Sequence, residues 1–146
     1  MTVGTKTETA NGTSVRLMDA TDATTAAPTL VTDGISIADL TGTFGRIETA
    51  DLELYSTAGS GTMTFTGQLY GYSSVSDKWC PVGTGGDTTK GTINNGAAIG
   101  ETSTNAIYHR EPLFDLHTFE RIYLRCTAIG GTATALVANL IVPRSP

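Results

Sequence analysis

The stretch from Thr62 to Tyr72, Thr-Met-Thr-Phe-Thr-Gly-Gln-Leu-Tyr-Gly-Tyr, sets Met63, Phe65 and Leu69 on one parity and threonine, glutamine or tyrosine on the other. A strict period of two fits a strand with one buried face. Around it stand 27 threonines and 17 glycines, few charges, and no segment with a helical period. The chain therefore reads as an all-β domain, a two-sheet antiparallel β-sandwich of short strands and turns, with Met63, Phe65 and Leu69 pointing between the layers.

Outward from that stretch, Ala58-Gly59-Ser60-Gly61 is predicted to close a hairpin with a preceding strand near 46–56, which carries Ile47, Leu52 and Leu54. The parity changes once between Ile47 and Leu52, and a bulge at Ala50-Asp51 would absorb it. Ile35 and Ile37 alternate after Asp33-Gly34 and predict a strand near 35–38. Ser73 to Lys78 is a turn. Trp79 to Gly83 is a short strand placed at an edge, because Pro81 cannot donate to a ladder. From Gly83 to Asn105 the chain reads as a long loop with room for one short strand.

In the last third, Phe119 to Ala128 puts Ile122, Leu124, Cys126 and Ala128 inside and Arg121, Tyr123, Arg125 and Thr127 outside. Gly130-Gly131 turns the chain into a return strand over Thr132 to Val142. Its Leu136 to Val142 end alternates little, as for a strand covered on both faces. Alanine and leucine keep a helix in contention there, and the β-branched residues favour the strand. At the other end, a strand is predicted over Ser14 to Met18. Residues 1–13 are polar and threonine-rich, forming either an extended arm or a marginal edge strand, so the domain proper runs 14–146. Asp19 to Thr29 reads as a low-complexity surface loop.

At 146 residues and 15.2 kDa the chain has the size of one domain, able to bury roughly 68–70% of its unfolded surface. The net charge of −5 is concentrated in residues 1–60, which carry eight acids against three bases. No basic stripe is present to displace counterions from phosphate, so nucleic acid is not an expected partner. No run of about 18 apolar residues exists and the N-terminus lacks the apolar region of a secretory signal, so neither a membrane span nor export is expected. Without export, Cys80 and Cys126 are expected to be reduced, with Cys126 a small core residue, and the Asn11-Gly12-Thr13 triplet carries no glycan.

Catalytic and cofactor chemistry leave little trace. His109, Asp115 and His117 lack the further ligands of a zinc site, and the segment reads as a polar surface loop, so no metal is expected. No Gly-x-Ser-x-Gly elbow occurs. The run from Gly83 to Gly91 lacks the lysine context and following helix of a phosphate cradle. Asp51 and Glu53 form an i, i+2 carboxylate pair on one strand face, the best candidates for a hydrolase, where a solvated face is the simpler reading. Tyr70, Tyr72 and Trp79 remain. Flat rings stack on sugars and also populate protein interfaces, and the scarcity of neighbouring charge favours the interface.

The segments Leu69-Tyr-Gly-Tyr, Trp79-Cys-Pro-Val-Gly and Phe119 to Ala135 resemble the small β-sandwich head decoration, or cement, proteins of tailed bacteriophages. The resemblance covers about a fifth of the chain and consists of strand and turn patterns. It implies a jelly-roll-like sandwich, a homotrimer, made in the host cytoplasm and located on the outer capsid surface of the virion. There it would bind the major capsid protein and stabilise the shell, without catalytic residues or cofactors. The alternative is a carbohydrate-binding or receptor-binding module of a phage fibre, using Tyr70, Tyr72 and Trp79.

Overall fold

The computed structural model describes residues 3–10, 12–19, 26–37, 40, 49–56, 63–82, 92–97, 99–101, 108–114, 116, 119–130 and 136–143. Ten strands are present among them: β1 Lys6–Thr9, β2 Gly12–Met18, β3 Ile35–Ser36, β4 Thr49–Ser56, β5 Met63–Ser73, β6 Lys78–Pro81, β7 Ile99–Glu101, β8 Tyr108–Phe114, β9 Arg121–Gly130 and β10 Leu136–Pro143. One sheet has the order β1-β2-β10-β4-β8 and the other β3-β9-β5-β6, with β7 also on β5. All pairings are antiparallel.

Set aside β1 and β7, and the remaining eight strands give β2-β10-β4-β8 facing β3-β9-β5-β6. That order is the double-sheet jelly roll, built from two Greek keys. Its chain path alternates between sheets at nearly every step. The expected β4–β5 hairpin is therefore absent: β4 pairs with β10 and β8, while β5 pairs with β9, β6 and β7. Likewise β10 returns to β2 and β4, not to β9. Ala58 to Gly61 lie outside the described residues, and the strand patterns on either side are the same whether the two strands pair or lie in different sheets.

The deciding stretch forms β5 and buries the expected parity. Phe65 and Leu69 are buried, and the Met63 side chain lies outside the described residues. Gly67 and Gly71 share that parity because aromatic rings fill the space above them. A Cβ on Gly67 would come 2.6 Å from the Phe65 ring, and one on Gly71 would enter the Phe119 ring. From the other sheet Val15, Leu52, Leu54 and Leu140 are fully buried against this layer. Each such side chain contributes about 1.5–3 kcal/mol on burial.

Two register details differ from expectation. Ala50, Leu52 and Leu54 are buried in one unbroken alternation, paired regularly with both neighbours, so no bulge interrupts Ala50-Asp51; Ile47 lies outside the described residues. In β9 the register does shift: Gly67 pairs with Cys126 but Thr66 with Ala128. Thr127 is the extra residue, so the simple alternation ends at the buried Cys126, and the Ala128 side chain lies outside the described residues. In β10, Ala138, Leu140 and Val142 are buried on the inner face, and on the outer face Val137 is buried while Asn139 and Ile141 are half-buried, so the outer face is covered in part. Of the two forms open to the N-terminal residues, the edge strand is present, as β1.

Where a polar loop is expected around His109, the chain forms β8, a strand of seven residues. Its alternate residues His109, Glu111 and Leu113 lie opposite the buried Leu54, Leu52 and Ala50 and so share the inward face. Two polar residues on that parity hid the strand. Pro112 is tolerated because β8 is an edge strand.

Candidate interaction face

The outer face of the β3-β9-β5-β6 sheet gathers the aromatic residues. Strand pairing sets Tyr72 opposite Trp79 and Tyr70 opposite Tyr123. The Trp79 ring meets Tyr72 at a centroid distance of 5.4 Å and Tyr123 at 6.1 Å, with interplanar angles of 61° and 62°. Both are edge-to-face contacts of the kind aromatic quadrupoles favour. Thus Tyr72 and Trp79 come together as expected from sequence, and Tyr123 joins them. Tyr70 lies beside the group and donates from its hydroxyl to Gln68 Oε1 at 2.7 Å.

Residues 26–34 lie across this cluster as a strap. Trp79 Nε1 donates to the Leu30 carbonyl at 3.0 Å, the Tyr123 hydroxyl to the Ala26 carbonyl at 2.9 Å, and Arg121 Nη1 to the Gly34 carbonyl at 2.8 Å. Gly34 passes so close that a Cβ there would enter the Trp79 ring, and it would also approach the Ile122 carbonyl to 2.9 Å. The strap's own turn is closed by Asp33 Oδ2, which accepts from the backbone N–H groups of Thr29 at 2.9 Å and Leu30 at 2.8 Å. Those donors hold the Asp33 carboxyl below its ordinary range. At the β5–β6 turn the Tyr72 hydroxyl donates to Asp77, which raises the phenol above its ordinary value. Glu120 fastens the same turn by accepting from Ser74 N–H at 2.9 Å and Ser74 Oγ at 2.6 Å.

With its backbone tied inward, the strap turns apolar side chains out. Leu30 is 63% exposed and Val31 43%, and Val75 at the tip of the β5–β6 turn is 97% exposed. The rings on β5 and β6 are legible in the sequence; the strap is not. Alternation did place Arg121 and Tyr123 outward; nothing in the pattern told which distant segment their polar ends would reach.

The other candidates fall elsewhere. Asp51 and Glu53 stand on the outer face of the opposite sheet. Asp51 Oδ2 accepts from Arg110 Nε at 2.9 Å and lies 2.8 Å from Nη2, and this raises the Arg110 guanidinium further above its ordinary value. Glu53 accepts from the Tyr108 hydroxyl at 3.3 Å and from Asn139 Nδ2 at 3.4 Å. The pair is part of a cross-strand polar row on an open sheet face, not two carboxylates facing across a cleft. His109 Nε2 lies 3.8 Å from Glu111 Oε2, and Glu111 accepts the Asn94 N–H of the 3-10 turn Ile93–Gly96. Asp115 and His117 lie outside the described residues. Among the described residues no three His, Cys, Asp or Glu side chains cluster as metal ligands. Cys80 and Cys126 are free thiols, Cys126 buried in the core.

No protein-family model, curated protein or solved structure matches the chain.

Proposed function

We propose that the chain is a non-enzymatic virion structural protein, a decoration subunit that binds the outer capsid surface and stabilises the shell by bridging capsomers. The observation that carries this reading is the strapped aromatic face. A jelly roll commits Trp79, Tyr72 and Tyr123 to holding a segment whose Leu30 and Val31 project outward. Exposed apolar side chains held in this way suit repeated docking onto a protein lattice. The capsid as partner comes from the resemblance of Leu69–Tyr72, Trp79–Gly83 and the Phe119 segment to phage cement proteins.

A sugar-stacking site is less well supported by the same geometry. The rings stand at about 60° to one another and the indole N–H is already donated to Leu30, so they form a buttress and not a flat platform.

The test is thermal release of packaged DNA from capsids carrying the wild-type chain, the Leu30→Asp variant or no decoration. Wild-type chain should raise the release temperature. Leu30→Asp, at an exposed position, should leave the chain's own melting unchanged and lose capsid binding. Equal heat resistance with and without the wild-type chain would refute the reading.

A further inference from the structure

The strap displays what the aromatic face holds. Two of its ties run to rings: the Ala26 carbonyl accepts from the Tyr123 hydroxyl and the Leu30 carbonyl from Trp79 Nε1. Between them runs Ala26-Ala27-Pro28-Thr29-Leu30, in which Pro28 is buried and the two residues on either side of it are exposed. The Trp79 and Tyr123 rings stand 6.1 Å apart, so a segment tied to both passes over them. A side chain at the middle of that span that is hidden from water is hidden against this face.

The local chemistry of the segment suits such a seat. Proline fixes its own φ at about −65° and pushes the residue before it into extended backbone, so Ala27-Pro28 arrives in a polyproline-like form with little left to order. Pro28 also has no N–H to leave without a partner when its ring turns to the sheet. The carbonyls two residues to either side accept from the tryptophan and the tyrosine. Aromatic side chains lining a surface that takes an extended proline segment are the general means of recognising proline-rich peptides. The rings read the proline and the donors read backbone carbonyls. Leu30 and Val31, both exposed, are not read at all. The face thus selects a class of segment and not this one sequence.

The strap is able to leave without undoing the sandwich. Of residues 26–33 Pro28 is the buried one, and the turn at their end is closed by an exposed carboxylate, Asp33, accepting from the Thr29 and Leu30 N–H groups. Segments with few buried apolar contacts open well below the free energy of global unfolding. Opening stops at Gly34, whose carbonyl Arg121 holds, and at the buried Ile37 beyond it.

We propose that the Tyr72–Trp79–Tyr123 face is a binding site for extended proline-containing peptides, occupied in cis by Pro28 of the strap. A peptide from another chain takes the site when the strap swings off, and its apparent affinity is lowered by the fraction of molecules in which the strap is seated. The inference does not rest on the capsid reading.

Fluorescence anisotropy of a dye-labelled peptide with the sequence of residues 26–32, Ala-Ala-Pro-Thr-Leu-Val-Thr, tests it on the full chain as wild type, Pro28→Ser and Asp33→Ala. Pro28→Ser takes the ring from the cis occupant, leaves the site's own side chains in place, and should bind the peptide about tenfold more tightly than wild type. Asp33→Ala, at an exposed position, removes the acceptor that closes the strap's turn and should also bind more tightly than wild type, so the test stands even where Pro28→Ser does not fold. The same peptide with serine in place of its proline should bind each form at least about tenfold more weakly. Adding Trp79→Phe to either loosened variant keeps a ring, removes the N–H and should weaken binding about fivefold. Loosened variants that bind neither peptide, or both equally, would overturn the inference, as would a wild type that binds as tightly as they do or a Trp79→Phe that binds unchanged.

Discussion

The two outer faces of this jelly roll are built from the same strand geometry and do different things. On the β4–β8 side, Asp51, Glu53, Asn139, Tyr108 and Arg110 form a polar row whose Asp51–Arg110 pair has side chains 40% and 44% exposed. On the β5–β6–β9 side, three rings meet edge to face and a segment of chain is tied over them by hydrogen bonds from Trp79, Tyr123 and Arg121. The difference lies in water. An ion pair left in solvent gains little because screening and side-chain entropy offset its attraction. Rings covered by backbone lose apolar surface to the interior, and their polar ends find partners within the fold.

Trp79→Ala has the largest expected effect. It removes two ring contacts and the N–H that holds the Leu30 carbonyl. A loss of about 2–3 kcal/mol in denaturant unfolding is expected, below the ~3–5 of a fully buried aromatic because Trp79 is half-buried. Gly34→Ala comes next. Its new methyl meets the Trp79 ring and the Ile122 carbonyl, so the strap must lift, at a cost of about 1–3 kcal/mol. Fluorescence of Trp79, the single tryptophan, should shift to the red in that variant as solvent reaches the indole. On the charged face, Arg110→Ala should cost under about 1 kcal/mol and lose even that in high salt. A larger effect at Arg110 than at Trp79 would reverse the ranking of the two faces.

The smallest effect is acid-dependent. Asp33 has a folded-state pKa below its unfolded value, so its contribution is present above about pH 4 and fades as the pH falls through the folded value. The Thr29 and Leu30 N–H groups then lose their acceptor. Tryptophan fluorescence should report a loosening of the strap in that acid range, and Asp33→Asn should remove the transition.

Period-two alternation made the strands legible. It placed Phe65, Leu69, Ile122, Leu124 and Cys126 inside and Tyr70, Tyr72, Arg121 and Tyr123 outside, all in agreement with the fold. Pro81 correctly marked an edge strand. Pairing was not legible. The Ala58–Gly61 link reads as a hairpin because the strand patterns on either side are the same whether the two strands pair or lie in different sheets. β8 stayed hidden because His109 and Glu111 occupy inward positions at a sheet margin, where Glu111 accepts from the Asn94 backbone and His109 packs half-buried beside it. The rings of the strapped face were visible, and the strap was not: it is held through its own carbonyls, which carry no side-chain signature.

Hydrogen–deuterium exchange of the chain, alone and mixed with capsids, tests most directly the proposal that the strapped face docks on a protein shell. Peptides covering 26–37 and 74–79 should gain protection on binding, while those covering 49–56 and 108–114 exchange as in the free protein. Protection confined to the Asp51–Arg110 face, with the strap unchanged, would contradict the account.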